Sequence, residues 1–380
     1  MDIRRRLISS SVEVNENWPN YFTIEALEDG LTASLSGNGN SIEYCIDKSG
    51  NWVNLSEGQL TSSINAGQVV QFRGDYSNMT FGGTDAEGYQ KGIGTFNISK
   101  KCKLSGNIMS LLYKENFEDE LSLPENNTFS VMFLNQVNII NVDEDLLPAT
   151  TLKSYSYYNM FAGCNNLENA PKLPCTNLSN LDSVYCGMFY DCTKLTVAPE
   201  LPSTSLGPTC YAGMFGATGI ISMPELPATT LTTYCYQAMF RDCKSLVTVV
   251  DLPATTLNTY CYYGMFDGCT SLTTVQERLP ATTLQNYCYQ QMYYGCTSIT
   301  TAPVLPSTGL KTRCYHEMFY GCSKLNYIKM MSTTRLSTSY SSNWVYGVAS
   351  SGTFVRNSKR SHSTGTSGIP SGWTQQTASS

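Results

Sequence analysis

Four acidic residues recur at one position of a repeated segment and are the clearest chemical pattern in this 380-residue chain. Glu200, Glu225, Asp251 and Glu277 each stand just before a Leu-Pro pair in four successive copies. If the copies stack one strand apart, neighbouring carboxylates lie about 5 Å from each other. Like charges at that distance repel mildly unless water screens them or a cation bridges them. Screening is the simpler interpretation, and a ridge that binds calcium or a cationic ligand is the alternative.

The sequence offers little support for catalysis. Histidine occurs twice, at His316 and His362, and neither has a context that suggests a nucleophile or an orienting acid. The sequence contains no phosphate-binding loop, dinucleotide fingerprint or metalloprotease helix. We therefore expect a protein that is not an enzyme and needs no cofactor, with calcium on the acidic residues as the one speculative metal.

The acidic residues belong to a repeat that occurs seven times. Its Leu-Pro anchor recurs in steps of 26, 28, 25, 26, 27 and 26 residues. A period of this size predicts a solenoid, in which each copy buries its apolar face against its neighbours. The anchors are Leu147, Leu173, Leu201, Leu226, Leu252, Leu279 and Leu305.

Each copy divides into a part with helical spacing and a part with strand composition. A methionine is preceded three residues earlier by tyrosine, usually four earlier by cysteine, and followed by Phe or Tyr. These spacings predict about two turns of helix with one buried face, so we assign the tyrosine column to the core. Gly or Asp three residues after the methionine predicts a left-handed residue that ends the helix, with Ala217 as the misfit. The aliphatic residue that follows, Ile221 in the third copy, begins a short β-branched strand.

Fifteen cysteines require an explanation, and eleven of them fall in two columns of the repeat. Ser156, Val184 and Thr218 interrupt these columns, which an obligatory disulfide would not tolerate. We therefore predict buried, free thiols that fill small slots. Zinc is less favoured, because the spacing within each copy does not match a tetrahedral site.

Variable positions on a constant frame predict where a ligand binds. A solenoid presents such positions as a broad binding face. The candidates are tyrosines two residues before or after the methionine and polar residues on the strand: Tyr158, Tyr190, Tyr263, Tyr294, Tyr320, Thr273, Thr300 and Tyr327.

The flanking segments give the remaining organisation of an α+β chain. Residues 1–18 form a polar arm, and 19–100 contain short alternating runs that predict a small β-sandwich of immunoglobulin-like size. Residues 101–146 are a degenerate capping repeat, and 147–330 are the seven repeats with a parallel sheet face and short helices. Residues 331–380 form a C-terminal cap, onto which Ile369 and Trp373 fold, and a Ser, Thr and Gly-rich tail.

Charge and targeting signals bound the partners. The chain carries 24 basic and 30 acidic residues, so its net charge of −6 gives no basic field for nucleic acid. No segment is apolar enough to insert into a membrane. The N-terminus begins MDIRRRLISSSVEVNENW, which lacks the apolar run of a secretory signal, so we expect no export by the general secretory route.

The repeat resembles the BspA-type leucine-rich repeats of bacterial surface proteins, in an LPATTL-rich variant that also occurs in phage genomes. The resemblance rests on copies such as LPATTLTTYCYQAMFRDCKSLVTVV and covers about 147–330. It implies recognition or adhesion and supplies no catalytic residues.

Together with the missing signal, the resemblance favours a phage virion protein, associated with a tail or a head fibre. Its N-terminal region would contact other virion proteins, and its repeats would bind a glycan or protein of the host-cell surface. The alternatives are a bacterial cell-surface adhesin and an intracellular protein-binding scaffold. Association of the chain with copies of itself is left open.

Overall fold

The computed structural model describes residues 18–37, 39–84, 88 and 90–378. The predicted N-terminal arm therefore lies outside the described residues, apart from Trp18. The described chain is mostly sheet and turn, with few helices. Its strands are β1 Phe22–Ala26, β2 Ala33–Ser36, β3 Ile42–Ile46, β4 Val53–Leu55, β5 Val69–Arg73, β6 Thr95–Ile98, β7 Cys102–Ser105, β8 Ile139–Val142, β9 Tyr327–Met330, β10 Thr353–Arg356 and β11 Thr374–Thr377; its helices are α1 Ser110–Tyr113, α2 Thr338–Ser341 and a 3-10 turn at Tyr76–Asn78.

The N-terminal region contains a six-stranded sheet in the order β4-β3-β5-β1-β7-β8 and a separate antiparallel pair, β2 with β6. Alternation in β1 sends Ile24 into the core, where it is in register with Val70 of β5 and Leu104 of β7. All three side chains are fully buried. One face of this sheet is therefore a dry apolar layer.

This sheet continues into the first, degenerate repeat. Beyond the predicted boundary at residue 100, β7 pairs antiparallel with β1, and β8 then pairs parallel with β7. The ring of Phe133, from the degenerate repeat, packs 5.8 Å from the rings of Phe22 and Phe96. The two regions therefore share a sheet and a core, because the degenerate repeat supplies the sheet's edge strand.

The helices predicted in each repeat are wrong. In the first copy, the Met160 N–H donates to the Tyr157 carbonyl three residues back at 3.2 Å, as in a tight turn. The next N–H, of Phe161, donates instead to Met188 of the following copy at 2.9 Å. An α-helix would direct every N–H to the residue four back and leave none for a neighbour. The segment is therefore a chain of tight turns that is hydrogen-bonded from copy to copy.

Left-handed residues produce these turns. In the first copy Tyr155, Asn159 and Gly163 have φ of 61°, 49° and 74°, one left-handed residue in every four. The left-handed position predicted three residues after each methionine is confirmed, and the misfit Ala217 also adopts it, with φ 58°. The helix was predicted because a chain of turns keeps the same three- and four-residue spacing of buried side chains.

The strands predicted in the repeats are reduced to single parallel bridges. Val197 bridges Ser222, Ser222 bridges Thr248, and Thr248 bridges Thr274. The direction is parallel, as predicted, but the chain turns toward the next Leu-Pro anchor before a longer ladder can form. Extended parallel strands occur at the two ends, in β8 and in β9–β11.

Aromatic columns fill the centre of the stack. The predicted core tyrosines, Tyr157 to Tyr315, are buried, and successive rings stack with centroids 5.7–6.2 Å apart. A parallel column of Phe and Tyr rings follows the methionines, at 5.2–5.9 Å. The core role predicted for the tyrosine column is confirmed.

The cysteines occupy the slots predicted for them. All fifteen are free, and all are buried except Cys186, which is half-buried. In the column after the methionine, each thiol donates to a carbonyl of the preceding copy, as Cys269 does to Phe240 at 3.0 Å and Cys296 to Phe266 at 3.0 Å. Burial raises the pKa of the Cys243 thiol to about 11 and of Cys235 to about 12. The thiols are therefore neutral packing groups.

The third copy is shorter than its neighbours, and its aliphatic core residue comes one position earlier than the spacing predicts. The aliphatic core position is filled by Ile220, which is fully buried, whereas the predicted Ile221 is 54% exposed. The shortening falls at Gly219, where an added Cβ would lie 2.6 Å from the Thr193 carbonyl oxygen of the preceding copy. Glycine is required there because the two backbones approach so closely.

A folded C-terminal module closes the stack. Trp344 takes the methionine position, is fully buried, and donates from Nε1 to the Gly368 carbonyl at 2.8 Å. Ile369 and Trp373 are buried as predicted. The strands β9, β10 and β11 pair in parallel, so the module continues the direction of the repeats.

Candidate functional site

Three predicted ligand-binding residues, Thr273, Thr300 and Tyr327, line one groove with a cavity volume of about 470 Å³. They come from three successive coils of the stack, and Tyr327 lies in β9. A volume of this size is within the range of small-ligand pockets. The other lining residues are Thr274, Val275, Gln276, Glu277, Thr301, Ala302, Val304 and Lys329.

Backbone hydrogen bonds between copies hold the groove walls in register. The N–H of Ala302 donates to the Tyr327 carbonyl at 2.9 Å, and the N–H of Val304 donates to the Glu277 carbonyl at 2.8 Å. Because Ala302 is buried, the neighbouring Thr301 side chain is directed outward. The repeat therefore places a threonine at matching heights in consecutive copies.

Gln276 supports the groove from below and was not predicted. Its side chain is only 5% exposed, accepts from the Leu252 N–H at 3.0 Å and donates to the Arg278 carbonyl at 2.8 Å. Its amide thereby connects the start of this copy, at Leu252, with its end, at Arg278. Spacing alone does not reveal this buried amide, because Thr and Val occupy similar sequence contexts in other copies.

The groove is suited to a polar, hydroxyl-bearing ligand. Thr273, Thr274, Thr300 and Thr301 are exposed, and hydroxyls both donate and accept hydrogen bonds. The Thr273 hydroxyl makes a long bond of 3.4 Å to the Val247 carbonyl. The lining also carries both charge signs, with the carboxylate of Glu277 and the ammonium of Lys329. Recognition here would rest on hydrogen bonds more than on apolar burial.

Two of the predicted tyrosines, Tyr294 and Tyr320, lie in a surface stack that also contains Tyr346. The centroid distances are 4.7 Å and 4.8 Å, with the rings 4° and 18° from parallel. Both faces of the Tyr320 ring are therefore covered by its neighbours, and its edge and hydroxyl remain accessible. Tyr346 was missed because tryptophan replaces methionine in its copy.

A second surface stack was not predicted. Tyr234, Tyr260 and Tyr287 have centroid distances of 4.8 Å and 4.4 Å. The sequence signal that could have predicted this stack is a tyrosine five residues before the methionine in three successive copies. The predicted residue Tyr263 packs edge-on against Tyr260 at 5.8 Å.

The other two predicted tyrosines are separate from these stacks. Tyr158 is half-buried and packs edge-on against Tyr155 at 5.9 Å. Tyr190 is 48% exposed, and its ring covers Gly216, where an added Cβ would be 2.7 Å from the ring. The five tyrosines predicted beside the methionines belong to the chains of turns, whereas the groove, with Tyr327, is built from the bridge segments.

The four acidic residues are exposed, and they do not line one common groove. Glu200 lines two proline-rich grooves of about 420 and 320 Å³, and Glu225 lines the smaller one. Glu277 lines the threonine groove instead. Over the described ranges, no group of three or more His, Cys, Asp or Glu side chains is arranged to hold a metal ion. The geometry therefore provides no assembled calcium centre on these residues.

The two histidines lie apart from the groove. The Nε2 atom of His316 is 3.7 Å from a carboxylate oxygen of Glu317. His362 is buried, and its pKa is lowered to about 4 by burial and by nearby arginines. Among the described residues, no helix is both long enough and apolar enough to cross a membrane.

Comparison with known families identifies the repeats. The family described as "BspA type Leucine rich repeat region" matches in six copies, over residues 154–300 and 239–344, which together cover half of the chain. The chain belongs to this family. The BspA type region includes every residue of the threonine groove, as well as both tyrosine stacks apart from Tyr346.

Two further comparisons give little more. No curated protein sequence matches the chain. A crystal structure of a leucine-rich repeat protein from Bacteroides ovatus is similar over 79% of this chain and 89% of its own, with 16% identity and a TM-score of 0.32. A TM-score of this size carries no argument about fold or function.

Proposed function

We propose that this protein is a non-enzymatic recognition protein whose BspA type repeats form a solenoid and bind a ligand in the threonine groove. The observation that carries the proposal is the contrast between a constant core and one variable exposed position. The residue directly after each aliphatic core residue is exposed in every copy and changes type. These residues are Glu168, Thr196, Ile221, Val247, Thr273, Thr300 and Asn326.

The ligand that fits this groove is a glycan or a hydroxyl-rich protein segment of a bacterial cell surface. Adjacent threonine hydroxyls offer paired donors and acceptors at the spacing of successive copies, and charged groups flank them. Binding without turnover is the role that we assign to the groove. We assign the protein no role in binding nucleic acid or in inserting into a membrane.

The N-terminal region supports a docking role. Its six-stranded sheet and its β2–β6 pair are consistent with a small immunoglobulin-like sandwich, and the sheet continues into the degenerate repeat through β8. We place the protein in a phage virion, where this region would contact other virion proteins. A bacterial cell-surface adhesin is the alternative location for the same recognition role. Self-association would be compatible with both.

A binding panel tests the recognition role. The labelled full chain is incubated with a set of bacterial strains, before and after periodate oxidation of glycans or proteolysis of surface proteins. Saturable binding to a subset of strains is expected, and the treatment that abolishes it identifies the ligand class. Absence of binding to every strain, or equal binding to all of them, would contradict recognition. The full chain is needed because a cut at residue 100 would remove β7 from its sheet.

The location has a separate test. Mass spectrometry of purified particles, from a phage that encodes the chain, should detect it at a fixed ratio to the structural proteins. Its detection on the envelope of uninfected cells, and not in particles, would support the surface adhesin instead.

A further inference from the structure

The C-terminal module, residues 318–378, has a positive net charge, whereas the chain as a whole is negative. After Glu317 the sequence contains no Asp or Glu, although the chain has a net charge of −6. No ion pair involves the module's basic side chains within the described residues. Their charge is therefore available to a partner. The basic residues are Lys324, Lys329, Arg335, Arg356, Lys359 and Arg360.

All three arginines of the module lie near His362. The backbone N–H of Leu336, the residue after Arg335, donates to Nδ1 of His362 at 3.2 Å. Arg356 donates from Nη1 to the Arg360 carbonyl at 3.0 Å, which ties the Arg356 side chain to the backbone at Arg360. The Arg360 side chain donates from Nε to the Thr333 carbonyl at 2.7 Å. With burial, the positive charges of Arg356, Arg360 and Arg335 lower the pKa of His362 to about 4. The ring is therefore neutral near pH 7.

Two enclosed N–H donors in this cluster have no acceptor. Because Nδ1 of His362 accepts from Leu336, the single proton of the neutral ring lies on Nε2. His362 is only 7% exposed, and neither its Nε2 nor the Nε of Arg356 has a hydrogen-bond partner. Buried donors without acceptors are rare in folded proteins. Both groups belong to the cluster in which Arg356, Arg360 and Arg335 act on His362. Neutral and cationic N–H donors of this kind are the complement of an oxyanion.

We propose that Arg335, Arg356, Arg360 and His362 form a site for a phosphate or sulfate group. The Nε2–H of His362 and the Nε–H of Arg356 donate to its oxygens after a small side-chain adjustment, and the exposed guanidinium groups of Arg335 and Arg360 neutralise its charge. The group is either a free ion or a substituent of a surface polymer.

The oxyanion site is distinct from the threonine groove. In the parallel pair β9–β10, Arg356 is in register with Met330, which is buried, so the two side chains lie on the inner face. Lys329, in register with Val355, lies on the opposite face and lines the groove. The oxyanion site can therefore be present or absent whatever the groove binds.

Histidine NMR of the full chain tests the site, because the protein has two histidines. The chain, labelled with 15N-histidine, is titrated at pH 7.5 with sodium sulfate or sodium phosphate, against sodium chloride of equal ionic strength. A saturable shift of the His362 Nε2 signal is expected, with the His316 signal unmoved. Arg335→Gln and Arg360→Gln should each weaken the binding tenfold or more. Arg278→Gln removes an exposed charge outside the module and should leave the binding unchanged.

Polymer arms distinguish the source of the oxyanion. Binding of dextran sulfate, but not of dextran, supports a polymer-borne group, and a response to the free ions alone supports a free anion. A response no larger than that to chloride would overturn the site, as would equal weakening by Arg278→Gln. Binding of duplex DNA without any response to either free ion would replace the oxyanion site with a nucleic-acid surface.

Discussion

The ring of Tyr294 lies 4.7 Å from the ring of Tyr320, and the two planes are within 4° of parallel. Each ring therefore covers a face of the other. A sugar stacks on the open face of an aromatic ring, and such a face is not available inside this stack. The stacked tyrosines are better suited to hold consecutive copies together at the surface than to act as a carbohydrate platform.

Replacing Tyr320 should therefore affect stability more than binding. Tyr320→Ala removes ring contacts with both Tyr294 and Tyr346, each worth about 0.5–1.5 kcal/mol beyond its buried area. Urea unfolding should show a loss of about 1–3 kcal/mol, with cell binding retained. Tyr190→Ala, at an exposed ring outside the stack, is the control and should change stability less. Loss of binding in the Tyr320 variant at unchanged stability would instead support a carbohydrate platform at this stack.

The two isoleucines of the short third copy should differ sharply. Ile220→Ala creates a cavity at a fully buried position and should cost about 2–5 kcal/mol of the free energy of unfolding. Ile221→Ala alters an exposed side chain and should stay within about 0.5 kcal/mol of the original. Chemical denaturation of the pair measures both effects. Equal losses would mean that the chain is shifted by one residue at Gly219.

The hydroxyl of Tyr236 should be dispensable. It is buried without a hydrogen-bond partner, whereas the buried hydroxyl of Ser203, one copy earlier, donates to the Cys175 carbonyl at 2.7 Å. An unpaired buried hydroxyl costs about 1–3 kcal/mol, so Tyr236→Phe should leave stability unchanged or raise it. Ser203→Ala removes a paired buried hydroxyl and should lower stability by about 1 kcal/mol. Thermal unfolding of the two variants decides, and a larger loss at Tyr236 would show that its hydroxyl is paired.

The buried thiols should make the protein sensitive to alkali. Burial raises the pKa of Cys243 from 9.0 to about 11 and that of Cys314 from 9.0 to about 12. Above pH 9 the unfolded chain loses these protons while the folded chain keeps them, so rising pH favours unfolding. Each such thiol contributes a loss of about 1.4 kcal/mol per pH unit above pH 9, and none below pH 8.

Thermal unfolding in reductant, from pH 7 to pH 10.5, measures this effect. Cys243→Ala should be less stable at pH 7 but should show a shallower decline above pH 9, because one titrating thiol is gone. A stability that is independent of pH over the whole range would contradict neutral, buried thiols.

Sequence reasoning identified the repeat and its core better than its backbone. The period, the tyrosine column, the free cysteines and the left-handed residue after Met160 all follow from side-chain spacing, which is a local property. The helix was predicted wrongly because the N–H of Phe161 bonds to a different copy, and bonds between copies leave no mark on spacing. The pairing of β7 with both β1 and β8 could not be predicted for a similar reason, because it depends on contacts between distant segments.

In the candidate site, too, individual positions could be predicted from the sequence, but the contacts between them could not. Thr273, Thr300 and Tyr327 were proposed one by one from their variable positions, and their meeting in one groove follows from the parallel stacking of copies. Gln276 and the tyrosine stacks were missed, because a buried amide or a ring contact depends on the distance between coils. The charge reversal after Glu317 could be read from the sequence, but the net charge of the whole chain concealed it.

Filling the threonine groove is the most direct test of the proposed recognition role. Thr300→Tyr places a bulky side chain in the groove, whereas Thr196→Tyr makes the same change at the equivalent exposed position of an earlier copy. Binding of each labelled full-length variant to a responsive bacterial strain is measured by flow cytometry, after equal thermal stability is confirmed. Thr300→Tyr should weaken binding tenfold or more, and Thr196→Tyr should leave it unchanged. Unaltered binding of Thr300→Tyr, or equal losses in both variants, would contradict recognition through this groove.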